Sequence, residues 1–351
     1  MSYTTINKST DYFNTVTYSG SETPQTITGV NFSADMAWFK NRTGTAAGGN
    51  IYDTVRGISD GWLYTNETAA SNNSGQPQIT LNSDGYVLNS GYDLINDGSS
   101  TYVSWNWKAN GSGSANTDGS INSTVSVNTT SGFSIVKYTG TGANATVGHG
   151  LGVVPKWIIV KKFDSSEDWE VYHASLGATK EMRLNTTDSA GTSSTRWNDT
   201  EPTSSLFYLG NDSSVNASGG TYVAYCFAEK TGYSKFGQYT GNGSSNGSFI
   251  FTGFKPSLVI TKCFAGTNAG STNWSMMDNK RFGYNTVLPY VYANTSGVEQ
   301  TTQNVNNIDI LSNGFKCKES DANRNAAANS YIFMAFGQSL VGTNNIPNNA
   351  F

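Results

Sequence analysis

Tyr138-Thr139-Gly140 is followed, 23 residues after its tyrosine, by Lys161 at the end of the apolar run Trp157-Ile-Ile-Val-Lys161. The same pattern occurs twice more, as Tyr18-Ser19-Gly20 with Lys40 at an offset of 22 and as Tyr239-Thr240-Gly241 with Lys262 at an offset of 23. Spacing this constant marks an internal repeat of about a hundred residues. A second landmark keeps the same register. Asp84-Gly85-Tyr86, Ser204-Ser205-Leu206 and Asn313-Gly314-Phe315 each lie 17 residues, counted from the middle position, before a tyrosine that opens a strand. Those strands are Tyr102-Val-Ser-Trp-Asn-Trp107, Tyr222-Val-Ala-Tyr-Cys-Phe227 and Tyr331-Ile-Phe-Met-Ala-Phe336. Their second, fourth and sixth residues are large and apolar, so one face of an extended chain carries them all.

At 351 residues the chain is long for one core, and the repeat divides it into three. Charged residues make up only 13%, aromatics reach 13%, and Gly, Asn, Ser and Thr dominate. This composition favours turns and strands over helices and predicts an all-β fold of three tandem β-sandwich modules, jelly-roll or concanavalin-like. The formal net charge of −4 and the absence of a basic cluster give no nucleic-acid footprint. No apolar stretch is long enough to span a membrane, and the first residues lack the basic and apolar segments of a Sec-type signal. Cys226, Cys263 and Cys317 are too few for a disulfide framework and read as small buried hydrophobes in a reducing compartment.

The expected units are residues 1–109, 131–230 and 231–340, with a Gly/Ser/Asn-rich linker and connector strand at 110–130 and a tail at 341–351. Units two and three, joined without a linker, are expected to pack as a rigid pair, with unit one on a looser hinge. Pro155 and Pro256 should mark the starts of strands. In the tail, Ile346, Pro347 and Phe351 are expected to strap onto a neighbour.

The nearest thing to a repeated polar constellation is Asp53-x-x-Arg56 in unit one and Asp278-x-x-Arg281 in unit three, replaced by His173 and Leu176 in unit two. Such pairs either bind a sugar or a partner's charge, or close a strand end as internal ion pairs. A catalytic role would not appear twice and fail once. Trp169 and Trp274 sit four residues before this row, and with Trp62 and Trp197 they offer either flat faces for carbohydrate or core plugs. His149 reads as exposed on a turn, and the two histidines have no metal-ligand spacing. Asp164, Glu167, Asp168 and Glu170 read as a solvated loop, although paired carboxylates also suit glycoside hydrolysis. The glycine-rich Gly140-Thr-Gly142 is the repeat's turn, since no helix follows it to hold a phosphate. No cofactor is expected.

Gly132-Phe-Ser-Ile-Val-Lys-Tyr-Thr-Gly140, Gly148-His-Gly-Leu-Gly-Val-Val-Pro-Lys-Trp157, Gly232-Tyr-Ser-Lys-Phe-Gly-Gln-Tyr-Thr-Gly-Asn-Gly243 and Leu311-Ser-Asn-Gly-Phe315 resemble the tandem modules of tail-fibre-like virion surface proteins of marine and freshwater tailed bacteriophages. The opening from Tyr3 to Phe13 resembles the start of the same proteins. The resemblance implies a non-enzymatic virion structural protein, assembled in the host cytoplasm and displayed on the particle. Its implied role is that of a tail fibre or spike adhesin for host attachment through surface glycan. A capsid decoration or vertex protein is the alternative, and a glycan depolymerase using Asp164 to Glu170 a third reading. The implied partners are other virion subunits and host polysaccharide, with homotrimers favoured.

Overall fold

The computed structural model describes residues 4–72, 78–89, 94–281, 285, 288–301, 307–339 and 341. It is almost entirely β, and each repeat contributes one large and one small antiparallel sheet. In the first repeat the large sheet orders Phe13–Ser19, Thr101–Trp107, Met36–Asn41, Asn50–Asp53 and Leu63–Tyr64. In the third the order is Ser234–Thr240, Ser330–Ser339, Phe254–Ala265, Ser275–Asp278 and Val291–Tyr292. The second repeat has the same series, Phe133–Thr139, Thr221–Phe227, Trp157–Lys162, Trp169–His173 and Lys180–Arg183, extended by Gly191–Thr192 at one edge and by Ser123–Asn128 and Ser114–Asn116 at the other. The small sheets are Gln25–Ile27, Gly85–Leu88 and Ile79–Asn82; Ala145–Gly148 and Leu206–Leu209; and Phe249–Phe251, Gly314–Cys317 and Ile308–Leu311.

Each small sheet packs on its own large sheet over a private core, which makes three sandwiches. The other face of every large sheet turns inward to a fourth core built from all three repeats. The second, fourth and sixth residues of the terminal strands all lie in it, so the alternation read from the sequence points at the centre of the molecule. Trp107, Phe227 and Phe336, the sixth residues, meet in a triangle with ring centroids 5.5, 5.6 and 6.1 Å apart. Three sheets closing on one aromatic triangle leave no unit on a hinge. The expected loose first unit is therefore corrected, because its inner face has nowhere else to be buried.

The repeated residues have definite jobs. Tyr18, Tyr138 and Tyr239 stack on the strand-opening Tyr102, Tyr222 and Tyr331 at 5.2, 5.1 and 5.0 Å, and each donates its hydroxyl to a carbonyl, of Ile95, Val215 and Arg324. The glycine of each triplet is dictated by close approach. A Cβ on Gly20, Gly140 or Gly241 would fall 1.9, 2.3 and 2.3 Å from the carbonyl oxygen of Asp97, Ala217 and Ala326.

Three local expectations change. The Gly/Ser/Asn-rich part of 110–130, read as a linker, contributes the short strand Ser114–Asn116, which pairs with the expected connector strand, Ser123–Asn128, itself paired with Phe133–Thr139. Pro256 lies inside the strand Phe254–Ala265, at a register shift between Pro256 and Leu258 that accommodates its missing N–H. His149 is buried, donating from Nε2 to Thr203 O at 3.1 Å while Nδ1 accepts from Leu151 N, so its turn is packed under the small sheet. Ile346, Pro347 and Phe351 lie outside the described residues.

Candidate binding surface

The residues singled out as a possible ligand row are all in the interior. Asp53, Arg56, Trp169, His173, Trp274, Asp278 and Arg281 are no more than 5% exposed. They join neighbouring repeats. Asp53 of the first accepts from Tyr225 OH of the second at 2.8 Å, and Asp278 of the third accepts from Trp105 Nε1 of the first at 3.1 Å. His173 of the second donates from Nε2 to Phe333 O of the third at 3.3 Å, while its Nδ1 accepts from Ser175 N. The three contacts run around the molecule and close it. The ligand reading of this row is thereby corrected to an internal one, since no solute reaches these groups.

The divergence within the row has a physical cause. Trp105, Tyr225 and Met334 occupy the same position of the terminal strand. Where that residue is a donor, its neighbour supplies a carboxylate, and the buried charge is neutralised three residues on by Arg56 (2.5 Å) or Arg281 (2.6 Å). Methionine cannot donate, so the second repeat supplies a neutral histidine that donates to a backbone carbonyl, and Leu176 replaces an arginine with nothing to neutralise. Burial holds His173 neutral, with its pKa lowered to about 4.

Two further contacts repeat at each seam. Ser71 N donates to Phe163 O, Ala190 N to Phe264 O and Glu299 N to Arg42 O. The repeat lysines cross the same seams. Lys161 Nζ donates to Thr68 O (2.8 Å), Lys262 Nζ to Thr187 O (2.8 Å) and Lys40 Nζ to Thr295 O (3.0 Å), each also bonding a carbonyl of its own repeat. Trp169 and Trp274 donate across seams to Tyr64 O and Arg183 O. In the first repeat Gly49 takes the tryptophan's place, and Trp38 fills the space, its Nε1 2.9 Å from where a Gly49 Cβ would be.

The lysines set a pH dependence. Burial lowers the pKa of Lys40 to about 7 and of Lys161 and Lys262 to about 8, from an ordinary 10.5. In the unfolded chain all three stay charged to much higher pH, so the penalty is full below pH 7 and fades as the folded lysines lose their protons. The carbonyl oxygens around each ammonium oppose the shift and reduce the gain. Stability should therefore rise between pH 7 and pH 8.5, read as the urea midpoint; a midpoint that falls over this interval contradicts the assignment. The lysine gain runs on towards their ordinary 10.5, but from the ordinary thiol value of 9.0 and tyrosine value of 10.0 upward the buried thiols and repeat tyrosines, whose pKa values burial raises, oppose it.

The acidic segment divides. Asp164 accepts from Thr221 N, and Asp168 pairs with Arg183 at 3.2 Å. Glu170 is fully buried between Arg196 (2.9 Å) and Arg183 (3.6 Å), and burial pushes its carboxyl up to about 7 against those two cations. It is thus not part of a solvated loop. Trp62 and Trp197 fill private cores. The three cysteines are free and buried, their thiols pushed upward by burial. Among the described residues no three His, Cys, Asp or Glu side chains converge as metal ligands, and no helix is long and apolar enough to cross a membrane.

What remains on the surface is a feature the sequence reading passed over. Phe249 and Phe251 are 48% and 55% exposed, whereas Ile250 between them is buried. Both point outward from the free edge of the third small sheet. Across the sheet Phe249 faces Lys316 and then Asp309, while Phe251 faces Gly314 and then Leu311. A Cβ on Gly314 would stand 3.1 Å from the Phe249 ring, so glycine lets the ring lie on the sheet. Lys316 Nζ holds Asn246 Oδ1 at 2.6 Å beside it. The result is an aromatic shelf with amide, ammonium and carboxylate groups along one side. At the matching positions the first repeat has Thr26 and Thr28, and the second has Thr146 and Gly148, where Ile121 covers the strand. The available signal was Phe-Ile-Phe itself, a strand with no polar face.

No curated protein and no solved structure matches the chain. A family model described as a domain of unknown function, DUF7483, matches residues 8–339. Spanning all three sandwiches and their shared core, this match makes the chain a member of the DUF7483 family.

Proposed function

We propose that this chain is a non-enzymatic surface protein of a tailed-phage particle that holds host-surface glycan on the Phe249–Phe251 shelf. The observation that carries the reading is the half-exposed aromatic pair, which among the described residues stands in one repeat only. Sugars present apolar C–H faces ringed by hydroxyls. Two aromatic faces beside Lys316, Asn246 and Asp309 complement both parts of such a ligand. The phage assignment draws on the sequence resemblance. Many weak contacts, multiplied by copy number on a particle, would supply the avidity. Capsid decoration is the competing role, in which the same shelf meets another virion subunit.

The intact chain and its Phe249→Ala/Phe251→Ala variant should be compared on an array of bacterial surface polysaccharides. Each lost stacking contact is worth about 1 kcal/mol, so the double variant should bind at least about tenfold more weakly. Its unfolding midpoint should fall only modestly, because about half of each ring is already exposed. No glycan binding by the parent chain, or equal binding by the variant, rejects the reading, and binding to emptied capsids in its place would establish the decoration role.

A further inference from the structure

The third small sheet has one closed edge and one open edge. At the strand Ile308–Leu311 the side chain of Asn285 takes both backbone groups of Ile310, donating to its carbonyl at 2.8 Å and accepting from its N–H at 2.9 Å. The opposite edge is Phe249–Phe251. Ser248 O accepts from Cys317 N and Thr252 N donates to Asn313 O, so these two residues bond towards the sheet. Alternation then turns the N–H and C=O of Phe249 and Phe251 away from it. Among the described residues nothing bonds those outward groups.

The second repeat shows what such an edge takes. Its matching strand, Ala145–Gly148, pairs Val147 with the inward Phe207, as Ile250 pairs with Phe315. There Thr146, the counterpart of Phe249, has both outward groups bonded. Its C=O accepts from Ile121 N at 3.0 Å, and its N–H donates to Ser120 Oγ at 2.9 Å. The covering segment comes from the stretch between the first and second repeats. The third repeat has no counterpart, since Thr221–Phe227 leads into Ser234–Thr240 through residues 228–233 alone.

The open edge is complementary to itself. Phe-Ile-Phe reads the same in both directions, and an antiparallel partner centred on Ile250 sets Phe249 opposite Phe251 of the second copy. Each such pair exchanges two backbone hydrogen bonds, because both residues turn their polar groups outward. The flanking Gly247, Ser248, Thr252 and Gly253 are small, and neither a charge nor a proline guards the stretch 244–254. Aromatic pairs across the two strands add to the contact.

We propose that two copies of this chain pair edge to edge through Phe249–Phe251 as a two-fold dimer, joining their three-stranded small sheets into one. The outer face stays open, so the two aromatic shelves merge into a single longer one. The pairing extends the proposed glycan surface and does not rest on it.

Analytical ultracentrifugation of the intact chain from about 1 to about 200 µM should show a monomer passing to a dimer, with a dissociation constant of about 10–100 µM for so small a contact. Over the same range hydrogen exchange at the Phe249 and Phe251 amides should slow at least about tenfold. Phe251→Pro removes an outward donor without breaking a bond of its own sheet, and should leave the chain folded and monomeric. Phe249→Leu/Phe251→Leu removes the rings and keeps the pairing groups. It should lose glycan affinity yet still dimerise, within about tenfold of the parent. A dimer without glycan binding rejects the shelf reading alone, whereas glycan binding by a chain that stays monomeric rejects the dimer alone. A trimer, an unchanged dimer in Phe251→Pro, or exchange at the two amides that ignores concentration overturns the proposal. The exchange readout needs no substitution and stands whether or not Phe251→Pro folds.

Discussion

Asp53→Ala is expected to destabilise the chain by about 3–5 kcal/mol, the range for removing one partner of a buried ion pair. Both side chains of the Asp53–Arg56 pair are fully buried. Asp53 Oδ2 accepts from Arg56 Nε and from Tyr225 OH, while Oδ1 accepts the backbone N–H groups of Val55 and Arg56. Alanine leaves the guanidinium without its buried carboxylate, with the carbonyls of Ile51 and Gly61 and the Ser71 hydroxyl as remaining acceptors, and takes from Tyr225 the acceptor of its hydroxyl. The counterpart change, Asp278→Ala, should cost less, because Arg281 keeps Glu299 at 3.0 Å. Urea unfolding of the two variants reads the difference. An Asp53→Ala loss under about 1 kcal/mol, or one smaller than that of Asp278→Ala, contradicts this account of the seam.

His173→Asp should be as damaging, by about 3–5 kcal/mol at pH 8, although it makes the second repeat look like its sisters. The new carboxylate would be buried opposite the Phe333 carbonyl oxygen, which the imidazole contacts at 3.3 Å. It would find neither a cation at Leu176 nor a donor at Met334. Its pKa in the fold would rise above that of the unfolded chain. The loss should therefore be largest above the folded pKa and shrink as acid protonates the group. Equal midpoints for parent and variant at pH 8 would show that the position does not require a neutral donor.

Much of this was legible in the sequence, and the part that was not has a common cause. The terminal strands, the lysine-ended strands and their register follow from alternation and repeat spacing, which are local. The partner of each inward face is not local. Val103, Trp105 and Trp107 reveal that a face is buried, but any sandwich core would satisfy that pattern, and only closure of three sheets shows that it is buried against the other two repeats. In the sequence the seam row offers carboxylate and guanidinium pairs that suit a ligand as well as an internal contact. Reading His173 together with Met334 would have shown a change of hydrogen-bond polarity instead. A third repeated signature was overlooked. Asn96, Asn216 and Asn325 each lie six residues before the strand-opening tyrosine, are fully buried, and accept from the N–H of Ser21, Thr141 and Asn242 in the loop after each Tyr-x-Gly. Asparagine is so common in this chain that its spacing did not stand out.

The most direct test of the three matched seam contacts is to rebuild the second seam in the image of the first. The triple variant His173→Asp/Leu176→Arg/Met334→Tyr restores carboxylate, guanidinium and hydroxyl donor at the positions of Asp53, Arg56 and Tyr225. Its urea unfolding at pH 8 should recover most of the stability that His173→Asp alone removes. A triple variant no more stable than the single one would contradict the account.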